Sequence, residues 1–127
     1  MKMFTLSDAN ALLPTVRGIV GRIREAHTRV TASGEEAKLA AEAGKTAGGG
    51  GMRGGGASYV AALVRLAENV GQLESLGVQL KDYERGLVDF PSLREGRVVL
   101  LCWQLGEGDQ IEWWHDLEAG FAGRQPL

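Results

Sequence analysis

From Val16 the apolar residues recur three and four apart, at Val16, Ile19, Val20, Ile23, Ala26 and Val30. That spacing is one face of an α-helix. Beyond Val30 the stripe thins to Ala32, Leu39 and alanines, so the far end is expected to fray. A second stripe, Val60, Leu63, Leu66, Ala67, Val70, Leu73 and Leu76, predicts a helix over about 58–76. Gly77 stands where a left-handed cap belongs, and Val78 can pack back onto the last turn. At the other end Ser7 is a natural N-cap, with Asp8 in the first turn. Pro14 has no N–H to donate, and its ring would clash with the carbonyl of Asn10. The pattern therefore predicts a short helix over 8–12, a break near Leu13 and a long helix from Pro14. Two amphipathic helices joined by a connector bury their stripes against each other, an antiparallel hairpin spanning 8–76.

After Gly77 the period shortens from 3.6 to 2. Val78 to Lys81 alternates, Gly86 to Phe90 is stopped by Pro91, and Gln110 to His115 follows a Gly-Glu-Gly-Asp turn at 106–109. Val98 to Trp103, VVLLCW, is apolar on both faces and is expected to be central and covered on both sides. The Arg94-Glu95-Gly96 turn joins the second of these strands to the third. Three or four antiparallel strands packed against the helical hairpin make an α+β domain, 78–127 supplying the sheet and an ordered tail. The chain of 127 residues is read as a single domain.

Composition alters this picture in one place. Eight of the 19 glycines fall within residues 44–56. Such chain has little to bury and much entropy to lose, so 44–56 reads as a flexible connector. Gly44-Lys45-Thr46 has the letters of a phosphate loop without the upstream glycine or the preceding strand. Charge divides at the same place: residues 1–56 carry eight Lys/Arg and five Asp/Glu, a net of +3, and 57–127 carry six and eleven, a net of −5. A total of −2 argues against binding nucleic acid by bulk electrostatics. Arg17 and Arg24 share one side of the first long helix and Arg22 and Arg29 another, so they flank the stripe instead of forming one patch. A lone cysteine excludes an internal disulfide framework and suits a reducing cytosol. The opening Met-Lys-Met-Phe lacks the apolar core of a signal peptide, and no apolar run is long enough to span a membrane. The expected location is cytoplasmic.

Three stretches, KDYERGLVDFP, LCWQLGE and WWHDLEAGFAGRQPL, together with the opening FTLSDANALLPTVR, resemble the prokaryotic family of domain of unknown function 2203. They cover nearly the whole chain apart from the glycine segment, which looks like an insertion peculiar to this member. The resemblance implies a small bacterial or archaeal cytosolic protein and carries no activity to transfer.

The residues that could do chemistry lie between Lys81 and Arg124. A metal site would draw on Asp89, Glu112 and His115, although on a strand Glu112 faces away from His115. Neither HExxH nor a CxxC pair is present, so a divalent metal is a minor expectation. Cys102, inside VVLLCW, reads as a small buried hydrophobe whose only available base is His115. Adjacent Trp113 and Trp114 point to opposite faces; Trp103 and Trp113 read most simply as core, leaving a ring on the open side that wants a lid, a ligand or a second subunit. The tail is the lid at hand. Phe121 would cover the ring, and Arg124 would pair with Asp116, Glu112 or an anion. The favoured reading is a non-catalytic interaction or ligand-binding module, homodimeric, using Asp89, Trp103, Trp114 and Arg124, with the ligand itself unassigned. The alternative is a metal-binding protein or metal-dependent enzyme built around His115.

Overall fold

A computed structural model describes residues 1–47 and 55–127, and its class is α+β. Helix α1 spans Leu6–Ala47 and α2 spans Gly55–Ser75. The strands are β1 Gln79–Asp82, β2 Leu87–Arg94, β3 Arg97–Gln104, β4 Trp113–Asp116 and β5 Gln125–Pro126, with a 3-10 turn at Phe121–Gly123 before the last. All five pair antiparallel in chain order, against the three or four strands that the period-2 pattern predicts. The extra one is a two-residue piece of the tail, too short to alternate.

Helix α1 runs unbroken through Pro14, contrary to the expected break at Leu13. Tertiary packing outweighs the lost hydrogen bond. Leu13 and Val16 are both fully buried on either side of the proline, while Pro14 itself faces solvent. The helix also starts earlier than Ser7 suggests. Thr5 is the cap: its Oγ1 accepts from the Asp8 N–H at 3.0 Å, and buried Phe4 and Ala9 bracket the turn as a hydrophobic staple. At the end of α2 the cap is as expected. Gly77 has φ 85°, its N–H donates to the Glu74 carbonyl, and the Val78 N–H reaches back to Leu73.

The helices lie side by side and run in opposite directions, as the Arg22–Asn69 bond and the approach of Gly34 to Tyr59 show. With 42 residues against 21, the second matches only part of the first. Residues 44–47 and 55–56 of the expected connector belong to these helices; the rest of it, 48–54, lies outside the described residues.

Pro91 does not stop β2, which continues to Arg94. The Pro91 carbonyl accepts from the Phe4 N–H at 2.7 Å, on the edge facing away from β3. A strand residue points its N and O to the same side, so the missing N–H falls where β1 has already ended. Glu95 and Gly96, at φ 52° and 79°, make the two-residue turn into β3.

One apolar cluster joins both layers: Leu13, Val16, Val20 and Ile23 of α1 and Leu73 of α2 meet Val88, Phe90, Val99, Leu101, Trp103 and Trp114 of the sheet. Alternation then assigns Asp89, Pro91, Leu100, Cys102, Trp113 and His115 to the other face. Most of these are buried as well. The central strands are covered on both sides, as VVLLCW implies.

Candidate functional site

The face turned away from the helices carries the chemistry. Asp89 on β2 lies directly opposite Cys102 on β3, and Leu100 lies opposite His115 on β4. His115 is therefore the diagonal neighbour of Cys102 on the same face. Asp89, Cys102 and His115 are at most 2% exposed, and their Oδ, Sγ and ring nitrogen atoms all lie within 4.8 Å of one another.

Hydrogen bonds fix the protons here. His115 Nδ1 is 2.8 Å from the carbonyl of Asp116. A carbonyl only accepts, so Nδ1 carries a proton and Nε2 is the inward nitrogen. Nε2 is 3.0 Å from Asp89 Oδ1, a contact that holds one proton between imidazole and carboxyl. The Cys102 Sγ lies within 4.8 Å of both groups. Burial, then the Asp89 carboxylate, pushes the thiol up to about 12, with Arg124 pulling the other way. A nucleophilic cysteine needs a lowered pKa, and burial raises this one.

Beside the cluster the tail folds back over the sheet. The Arg124 guanidinium stacks over Trp113 at 5.0 Å and Phe121 at 4.7 Å, and Arg85 covers Phe121 at 4.0 Å. One amino group of Arg124 reaches both Glu107 oxygens, at 2.7 and 2.9 Å, and Glu107 also accepts from the Gln104 N–H. Arg124 is thus paired with Glu107, and Asp116 pairs with Arg97 instead. Among the described residues two buried side-chain atoms lack a partner, Arg124 Nε and Gln104 Oε1. Both belong to residues that bond Glu107.

The structure divides the residues singled out above. Asp89 and His115 meet, and Asp89 and Arg124 share the outer face. Trp103 and Trp114 lie in the helix-facing core, 1% and 6% exposed. Trp113, expected there, is the ring on the outer side. The reason is where β4 begins. Ile111 is pinned to α1 by its N–H to Asn10 Oδ1 at 2.7 Å, and the strand starts only at Trp113, so the alternation assumed from Gln110 does not hold. Glu112 falls in that non-strand stretch. It is exposed, its carboxylate points towards Gly108, and it stays apart from the buried cluster. Cys102 takes the third place. The signal for it was parity: Asp89 between Val88 and Phe90, and Cys102 between Leu101 and Trp103, each interrupt an apolar strand on the same side.

Of the arginines on α1, Arg17 bonds Asp109 at 3.0 Å, Arg22 bonds Asn69 and Arg29 bonds Glu25. No helix among the described residues is long and apolar enough to cross a membrane. A family model described as "Uncharacterized conserved protein (DUF2203)" matches residues 2–127. No curated protein and no solved structure matches the chain.

Proposed function

The chain belongs to the DUF2203 family of uncharacterised conserved proteins, and from that premise we propose that it is a non-catalytic binding module working through the tail-covered face of its sheet. The observation that carries this reading is the pair of unpartnered buried atoms, the donor Arg124 Nε and the acceptor Gln104 Oε1. An unmet buried polar group costs about 1–3 kcal/mol, so two of them on residues that both bond Glu107 are groups that a ligand can complete. A small molecule offering one acceptor and one donor, as a primary carboxamide does, satisfies both. Asp89 and Arg124 remain in this surface; Trp103 and Trp114 support it from behind, as core.

A thermal-shift series with acetamide, glycolate and phosphate tests the reading. Acetamide is expected to raise the wild-type Tm with the logarithm of its concentration and to leave Gln104→Ala unmoved. If none of the three probes moves the wild-type Tm, this surface is not a ligand site of the proposed kind.

The same reading takes the chain as a single domain located in the cytosol and as a two-fold homodimer. The exposed apolar residues Val60, Leu63 and Val64 on α2 support the dimer. Sedimentation at micromolar concentration should give twice the mass of the chain; a monomer would remove the dimer and leave the ligand reading standing.

A further inference from the structure

We propose that Asp89, Cys102 and His115 form a binding site for a borderline-soft divalent transition cation, Zn2+ above all, held by carboxylate, thiolate and imidazole. This stands on different atoms from the carboxamide site and does not depend on it.

Two features point to a cation. The first is convergence: one O, one S and one N donor, from three adjacent strands, lie within 4.8 Å of one another. Strands hold such atoms more firmly than loops do. In a tetrahedral zinc site, bonds of about 2.0–2.2 Å to N and O set those two atoms about 3.3 Å apart. Nε2 and Oδ1 stand at 3.0 Å, so admitting the ion asks for a few tenths of an ångström. The second is the outer bond of the imidazole. Nδ1–H donates to the Asp116 carbonyl at 2.8 Å, which is how a metal-binding histidine is usually oriented, with Nε2 turned inward. Loading M2+ sends the displaced protons to solvent and leaves thiolate, carboxylate and imidazole as the ligands.

The donor set also selects. Mg2+ and Ca2+ need six or more oxygens, whereas mixed N, O and S donors in a small cage suit zinc and cobalt. Three protein ligands leave a fourth position for water or a small anion.

Cobalt titration of the full chain is the test, because thiolate bound to Co2+ gives a charge-transfer absorption and this chain has only one cysteine. The expected result is one equivalent of Co2+ with that band, displaced by Zn2+ and unaffected by Mg2+. Cys102→Ala should lose the band and weaken Zn2+ binding by about tenfold or more, while Glu112→Gln behaves as wild type. Folded wild-type protein that gives no thiolate band, or a variant lacking Cys102 that binds Zn2+ as tightly, overturns the proposal. If Cys102→Ala does not fold, the wild-type titration decides alone, since no other thiol can produce the band.

Discussion

The two faces of the sheet are both buried at their centres and are built from opposite materials. Towards the helices stand Val88, Phe90, Val99, Leu101, Trp103 and Trp114, an apolar set that needs no partner beyond close packing. Away from them stand Asp89, Cys102 and His115, every one buried, Asp89 bonded to His115 and Cys102 within 4.8 Å of both, with Arg124 and Glu107 alongside. A small protein gains stability readily from the first kind of face. The second kind costs desolvation that its hydrogen bonds roughly offset, so stability alone does not account for it. The contrast separates what folds this chain from what it has available for binding.

The contrast can be broken first at its apolar side. Phe90 is fully buried and meets Phe4 edge-on at 5.4 Å. Phe90→Ala should cost about 3–5 kcal/mol in urea unfolding, from lost transfer energy and the cavity left behind. A cost under about 1 kcal/mol would mean that the helix-facing side is not the main core. On the outer face the largest loss is expected at Arg124. Its side chain is 10% exposed and that of Glu107 is 26% exposed, so the pair falls between a buried and a surface bridge. Arg124→Ala should cost about 2 kcal/mol, between the ranges for those two classes, and should free the tail. Equal losses at Phe90 and Arg124 would erase the distinction between the faces.

The thiol sharpens the contrast through pH. Its folded pKa of about 12 lies above the ordinary value of 9.0. Between those values the folded state holds a proton that the unfolded chain has released. Stability is therefore fully present below pH 9 and falls as pH rises above it, by at most about 1.4 kcal/mol per pH unit from this group. Cys102→Ala should lack that extra slope. A wild type and variant whose unfolding free energies run parallel from pH 8 to 11 would contradict the burial assigned to the thiol. The smallest effect is expected at the rim. The Arg97–Asp116 pair is half exposed, with side chains 55% and 41% accessible, and Arg97→Ala should cost less than about 1 kcal/mol. A larger loss in the same urea assay would extend the structural role of the helix-facing side to its edge.

How far the sequence foretold these faces depends on the range of the interactions that decide them. The stripe from Val16 to Ala26 and the Gly77 cap are settled within a few residues, and both stand as read. Pro14 and Ser7 depart from what local rules predict because the deciding contacts come from far along the chain. Leu13 and Val16 pack into a core shared with the sheet, and Phe4 is tied to Pro91. The outer cluster depends on register, which sequence fixes poorly. Asp89 and His115 stood out as polar residues in apolar surroundings. Their partner did not, because Cys102 resembles its hydrophobic neighbours until strand pairing sets it opposite Asp89. Glu112 looked plausible only while β4 was assumed to begin at Gln110, and Ile111 is held by Asn10 instead. Arg124 was expected to find an acid, and the tail's path brings it to Glu107.

Equilibrium dialysis of untagged protein against Zn2+, followed by elemental analysis, tests most directly whether the outer face is a site and not a second core. The account predicts close to one zinc per folded chain for wild type, and a marked loss in Cys102→Ala at the same free Zn2+. Folded wild-type protein that leaves dialysis without zinc, or equal zinc in both proteins, would contradict it.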